Sequence, residues 1–320
     1  MIVVINLQLL SASTDTKNNV SKAERKAFAA LVKAVRSQGG YVHPSIDIVS
    51  PAPESGAPRG IAIVKKVTRQ KYDEKDILIK VPYSYQMSRE LAYETLLSVI
   101  PEAVLIELPL VDLDDAALLV LLLAHEYGLG KKSKFNAYIK TLPMQGGGCG
   151  WAQVDDLRHL PNGVDVDDLE MATMYAHRVA NGMAKDYGAY LAKSSWPKEW
   201  KEDPSQALLW ALCIVNSRAT AAYTNPGRMD SPTGVRLVPI ADMANHFSKA
   251  GNFTELSEPS NDIGAFVVQS VWKCGTSRDI RVGNEITVNY NLKHFGAIDW
   301  FLSLGFIPPE IATTAQHSEL

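Results

Sequence analysis

Apolar positions divide the chain into three stretches. The first begins with a helix. Ser21-Lys22-Ala23-Glu24 is a capping box, in which the serine side chain accepts from the third amide and the glutamate reaches back. Helical spacing of apolar residues carries it to about Gln38, where Gly39-Gly40 ends it. Residues 51–58, rich in Pro, Gly, Ser and Ala, read as a loop. Residues 61–64 and 77–81 read as strands on either side of a charged turn.

From about Ser88 to Tyr223 the pattern is helical. Asp112 or Asp114 caps a helix that ends near Gly128. Its centre, residues 116–124, is the longest apolar run, too short to span a bilayer and so a buried helix. Residues 165–170 form an acidic helix start rather than a calcium loop. Asp203-Pro204 opens another helix, with Leu208, Leu209, Leu212 and Val215 on one face, ending near Arg218. Residues 235–240, 264–272 and 285–290 then read as strands.

This order predicts an α+β fold, a β-rich domain divided by a long helical insertion. The parts are a lead-in over 1–20, the N-terminal part over 21–90, the insertion over 91–225, the C-terminal part over 226–309 and a tail over 310–320.

Composition narrows the function classes. The 320 residues are 46% hydrophobic and 21% charged, as in an ordinary globular protein. A net charge of −3 gives no reason to expect nucleic-acid binding. The apolar start lacks a positive n-region and reads as a lead-in, not a signal peptide; no membrane association is expected. Cys149, Cys213 and Cys274 are far apart and form no CxxC, which argues against a disulfide framework or a Cys-rich zinc site and for a reducing compartment.

His125-Glu126 begins like a zincin helix, but Leu129 stands where the second histidine is needed. Asp242, Asn245 and His246 lack a further histidine or cysteine at ligand spacing, so no metal is expected. The glycine-rich loop at 145–151 lacks the setting of a phosphate site and reads as a flexible turn.

Two C-terminal segments are the most informative. Residues 236–246 (RLVPIADMANH) end a strand in Asp242, Asn245 and His246. Residues 283–290 (GNEITVNY) follow roughly forty residues later and end a strand in Tyr290, with Leu-Ser-Leu-Gly-Phe306 soon after. Taken singly, Asn245-His246 is a loop cap and a core histidine, and Tyr290 a strand tyrosine. Together they resemble the NH and GE…Y motifs of a SET domain. Arg59-Gly60-Ile61 resembles that domain's early RG strand, and Val215-Asn-Ser-Arg218 its VxSR helix end. With an insertion of roughly 130 residues, the set is similar to the plant Rubisco large-subunit lysine methyltransferase group and its relatives, over residues 27–308.

The resemblance implies small sheets with a knot-like C-terminal part, S-adenosyl-L-methionine as cofactor and S-adenosyl-L-homocysteine as product. It implies a protein substrate outside the histones, methylated on lysine. Arg59, Gly60, Ile61, Arg218, Asn245, His246 and Phe306 would bind cofactor. Ser217 and Asp242 would line the lysine end, and Tyr290 would be the catalytic residue that orients the amine. Protein-histidine methylation by the same fold, and a SET-fold binding module with weak catalysis, are the alternatives. Leu304 stands where the family carries a second tyrosine. Residues 72–76 replace a Gly-Glu turn. The family continues into a C-terminal substrate-binding domain, and only a short tail follows residue 309 here; substrate recognition is expected to be different, to be supplied by a helper partner, or to lie in a part outside this sequence. A cytoplasmic or nuclear location is expected, with a plastid one left open.

Overall fold

The capping box forms as its spacing requires. In α1 (Lys22–Ser37) the Ser21 hydroxyl accepts from the Glu24 amide, and the Glu24 carboxylate accepts from the Ser21 amide. Gly39 follows at φ +84°, a left-handed conformation natural to glycine. The fold is taken from a computed structural model. It describes residues 20–49, 59–65, 75–144, 149–150, 160, 164–223, 233–246, 254–255, 266–271, 285–308 and 311. The expected lead-in, the loop at 51–58, the charged turn before residue 75, most of the glycine-rich loop and nearly all of the tail lie outside these residues.

After α1 come β1 (Tyr41–Val42), β2 (Ile46–Val49), β3 (Gly60–Ile63) and β4 (Lys75–Val81). The helices α2 (Arg89–Val99), α3 (Glu102–Glu107), α4 (Asp115–Leu129), α5 (Asn136–Ile139), α6 (Val166–Tyr187), α7 (Lys198–Glu202) and α8 (Pro204–Arg218) follow. The chain closes through β5 (Thr220–Tyr223), β6 (Thr233–Arg236), β7 (Asn245–His246), β8 (Thr254–Glu255), β9 (Phe266–Val271), β10 (Thr287–Val288) and α9 (Ala297–Leu304). One antiparallel sheet has the order β1-β4-β9-β8. Two antiparallel pairs, β2-β3 and β5-β6, and one parallel pair, β7-β10, complete the sheets.

The fold is α+β, but the core is built more from helices than the expected β-rich domain implies. Asp114 caps α4, its carboxylate accepting from the Ala117 amide. Every residue from Leu118 to Glu126 is buried, because α2 and α8 pack against this helix. A helix covered on several sides carries little amphipathic contrast, which is why its sequence reads as one apolar run. Asp165 and Asp203 cap α6 and α8 in the same way.

Four expectations need correction. The helical stretch stops at Arg218, because Thr220–Tyr223 pairs with Thr233–Arg236 as strands. The strand expected over 235–240 leaves its ladder after Arg236. Leu237 makes a single bridge to Met87, and Ile240 turns the chain at φ +67°. The strand expected over 285–290 is a ladder only at Thr287–Val288, with Glu285 bridging to Ala62. Finally, Cys149 and Cys213 are joined by a disulfide, with Cα atoms 5.5 Å apart. Their separation of 64 residues carries no sign of this, since it depends on which turn of α8 meets Cys149.

Gly128, near the end of α4, lies against the Ala192 carbonyl, which occupies the place of a side-chain Cβ. Gly128→Ala should therefore destabilise the fold by about 2 kcal/mol or more, the range of core over-packing. Chemical denaturation reads this directly, and an unchanged midpoint would show that the helix end can yield.

Candidate active site

The site begins with a two-residue parallel pairing. Asn245 lies beside Thr287 and His246 beside Val288. β3 joins the same seam, where the Ile286 amide donates to the Ile61 carbonyl over 2.8 Å and Glu285 bridges to Ala62. Asn245 donates through Nδ2 to the Glu285 carboxylate. Gly60 packs directly on this pair; a Cβ there would collide with Glu285 and meet Asn245 Nδ2 at 2.8 Å. Gly60 and Ile61 thus reach the seam by their backbone. The Arg59 side chain does not; it pairs with Glu24 of α1 and is half exposed.

The Tyr290 amide donates to His246 Nδ1 over 3.2 Å, which places the proton of a neutral ring on Nε2. The Tyr290 hydroxyl donates to the Ala244 carbonyl over 3.1 Å, so its oxygen lone pairs remain acceptors. Burial pushes this hydroxyl up to about 12. Trp300 of α9 gathers the surrounding rings. Its centroid lies 4.8 Å from His246, 6.2 Å from Tyr290 and 5.6 Å from Phe306. Trp300 is buried, and its Nε1 has no hydrogen-bond partner among the described residues. α9 is held by a small cluster in which Phe301 packs with Val164 and Leu169.

A cavity of about 390 Å³ adjoins this seam. Ser217, Arg218, Asp242, Tyr290, Phe295 and Leu304 are among its lining residues. Ser217 and Arg218 arrive at the end of α8, where the Ser217 hydroxyl donates to the Cys213 carbonyl over 2.8 Å. Asp242 arrives through the turn after Ile240. A β-branched residue at positive φ costs about 1–3 kcal/mol, held here by full burial of Ile240. The Asp242 side chain has no exposure and lies 3.6 Å from Arg218 Nη1. Arg218 Nη1 also donates to the Asp242 carbonyl over 3.3 Å. Burial raises the Asp242 carboxyl above its ordinary range, while Arg218 and the Tyr138 hydroxyl draw it back. Arg218 Nε is buried without a partner among the described residues.

The structure therefore brings Ser217, Arg218, Asp242 and Tyr290 to one cavity. Gly60, Ile61, Asn245 and His246 form the adjoining seam, and Phe306 joins it through Trp300. An arginine with an unpaired buried donor suits a carboxylate-bearing ligand. A neutral tyrosine with free lone pairs suits an amine. Among the described residues no cluster of three or more His, Cys, Asp or Glu could hold a metal ion, and no helix is long and apolar enough to cross a membrane.

Three residues at the site had no role in the sequence reading. Glu285 lay inside a recognised segment, and its place before a strand was the available signal. Trp300 stood between two motifs as an aromatic in a short helix. Tyr138 lies 104 residues from Asp242, and no local pattern marks it.

Neither protein-family models nor curated proteins give a significant match to this chain. Solved structures do. The SET domain of LSMT bound to lysine and AdoHcy matches with a TM-score of 0.62 at 17% identity, over 89% of this chain and 58% of that one. Rubisco LSMT bound to AdoMet matches at 0.58 and 17%, over 91% and 57%. Rubisco LSMT bound to sinefungin and monomethyllysine matches at 0.59 and 18%, over 91% and 57%. The chain thus has the fold of these SET-domain structures and spans under three-fifths of their length.

The raised Tyr290 pKa gives a pH prediction. Below the ordinary tyrosine range near pH 10 both folded and unfolded states keep the proton. As pH rises towards 12 the unfolded chain loses it first, so the stability this group contributes falls. Difference absorbance between wild type and Tyr290→Phe should show this phenol ionising late. Ionisation in the ordinary range would place its hydroxyl in solvent.

Proposed function

We propose that this SET-fold chain is an S-adenosyl-L-methionine-dependent protein-lysine N-methyltransferase acting on a non-histone protein. The observation that carries the reading is the convergence of Arg218, Asp242, Ser217 and Tyr290 on one cavity beside the Asn245–His246 seam. The similar solved structures are described as bound to AdoMet, AdoHcy, lysine and monomethyllysine. In this reading helices α2–α8 form the insertion within the SET domain, and the segment through β10 is the threaded, knot-like part.

The cofactor supplies a methyl group on a sulfonium, open to in-line displacement. Arg218 would hold its carboxylate. Asn245, His246 and the backbone of Gly60 and Ile61 would hold its polar parts, with Phe306 packing on the adenine. The acceptor amine must be neutral, close and aligned, so the chain acts chiefly by positioning. A free lysine titrates near 10.4, and an enclosed apolar wall opposes its charged form. Leu304 and Phe295 form such a wall. The Tyr290 hydroxyl, committed as donor to Ala244, accepts from an amine N–H and aims the nitrogen lone pair. A tyrosine that keeps its proton adds no charge that would hold the amine as ammonium.

Calorimetry with S-adenosyl-L-homocysteine tests the cofactor role. Absence of binding at about 1 mM, a free energy near −4 kcal/mol, would remove the enzyme reading. Tyr290→Phe should keep cofactor affinity yet lose turnover by about 100-fold or more. Methyl-label transfer into a lysate of the source organism, followed by mass spectrometry, reads the acceptor. Label on histidine would favour the alternative chemistry of the same fold, and absence of label would favour a binding module.

A further inference from the structure

The Arg218–Asp242 pair is incomplete, and a third residue accounts for that. Tyr138, on α5, is fully buried, and its hydroxyl donates to Asp242 Oδ2 over 2.6 Å. Burial and the adjacent carboxylate push this hydroxyl well above the usual tyrosine range, so it remains a donor. Arg218 Nη1 stands 3.6 Å from the same Oδ2, beyond hydrogen-bond distance. Asp242 Oδ1 and Arg218 Nε are both buried without partners among the described residues. An arginine and a carboxylate this close ordinarily close into a two-pronged pair that satisfies both remaining atoms. Here one oxygen is already engaged by Tyr138, and the fork stays open.

We infer that Tyr138 is a positioning residue for Arg218: by holding Asp242 it keeps the guanidinium from closing onto the carboxylate and leaves a donor for a ligand's carboxylate group. The ligand part of this inference rests on the proposed cofactor role of Arg218; the positioning part does not. A buried, charge-assisted hydrogen bond is strong enough to decide between two arrangements of one carboxylate. The arrangement has a cost, since two buried polar atoms go unpaired among the described residues. A carboxylate ligand would repay part of it by accepting from Arg218.

The test compares wild type with Tyr138→Phe, which keeps the buried ring and removes only the hydroxyl; thermal unfolding checks that the variant folds. In the ligand-free protein, the Arg218 Nε–H signal in a nitrogen–proton NMR spectrum should move, and its exchange with water should slow, as the fork closes on Asp242. Affinity for S-adenosyl-L-homocysteine should fall about tenfold. Affinity for methylthioadenosine, which has no carboxylate, should not change, a distinction that general loosening would not produce. With Asp242→Asn as background, adding Tyr138→Phe should have no further effect.

An unmoved Nε–H signal, or equal losses for both ligands, would overturn the inference. If the signal moves but wild type binds neither ligand, the positioning stands and the cofactor reading fails.

Discussion

The site depends on two residues of parallel pairing, Asn245–His246 against Thr287–Val288. A parallel pair cannot be closed by a tight turn, so the chain must leave and return by a long connection. That return sets the Tyr290 amide on His246 and the Tyr290 hydroxyl on the Ala244 carbonyl. Slipping the pairing by one residue would turn each of these side chains to the opposite face. The Ile286–Ile61 hydrogen bond pins β3 to the same register, so three segments distant in sequence share one alignment.

Two short ladder positions are weak by themselves, and their surroundings stabilise them. On one side stands the helical core of α4 and α8, with α4 buried almost throughout. It fixes the end of α8, and hence Ser217 and Arg218, relative to the turn that carries Asp242. On the other side α9, anchored through Phe301, presents Trp300 to His246, Tyr290 and Phe306. Aromatic packing supplies apolar burial while leaving the polar tips of His246 and Tyr290 directed by the backbone.

The Tyr138–Asp242–Arg218 chain shows the opposite economy. It places a carboxylate and part of a guanidinium out of water and leaves one atom of each unpaired among the described residues. A core selected for stability alone would replace such a group with apolar side chains. Its place beside a cavity, on a turn that also holds Ile240 at positive φ, concentrates strain where ligand chemistry would use it.

Local chemistry was legible in the sequence. The capping box at Ser21, the caps at Asp114, Asp165 and Asp203 and the buried run of α4 follow from interactions between residues a few positions apart. So did the candidate residues, because Asn245-His246, Tyr290 and Ser217-Arg218 lie in short ordered motifs. What depends on distant partners was not legible. The last helix of the helical stretch ends near Arg218 as read, but the close of that stretch, placed at about Tyr223, is a strand because Thr233–Arg236 lies beside it. The 235–240 strand ends after Arg236, and Ile240 turns the chain at positive φ. Cys149 meets Cys213, and Tyr138 meets Asp242, across 64 and 104 residues. The partner of the Arg59 side chain, Glu24 of α1, lies 35 residues away and was not legible either. Spacing along the chain records short-range hydrogen bonding and periodic burial; which side chain completes a charge pair is set only when the helical segment packs against the C-terminal turns.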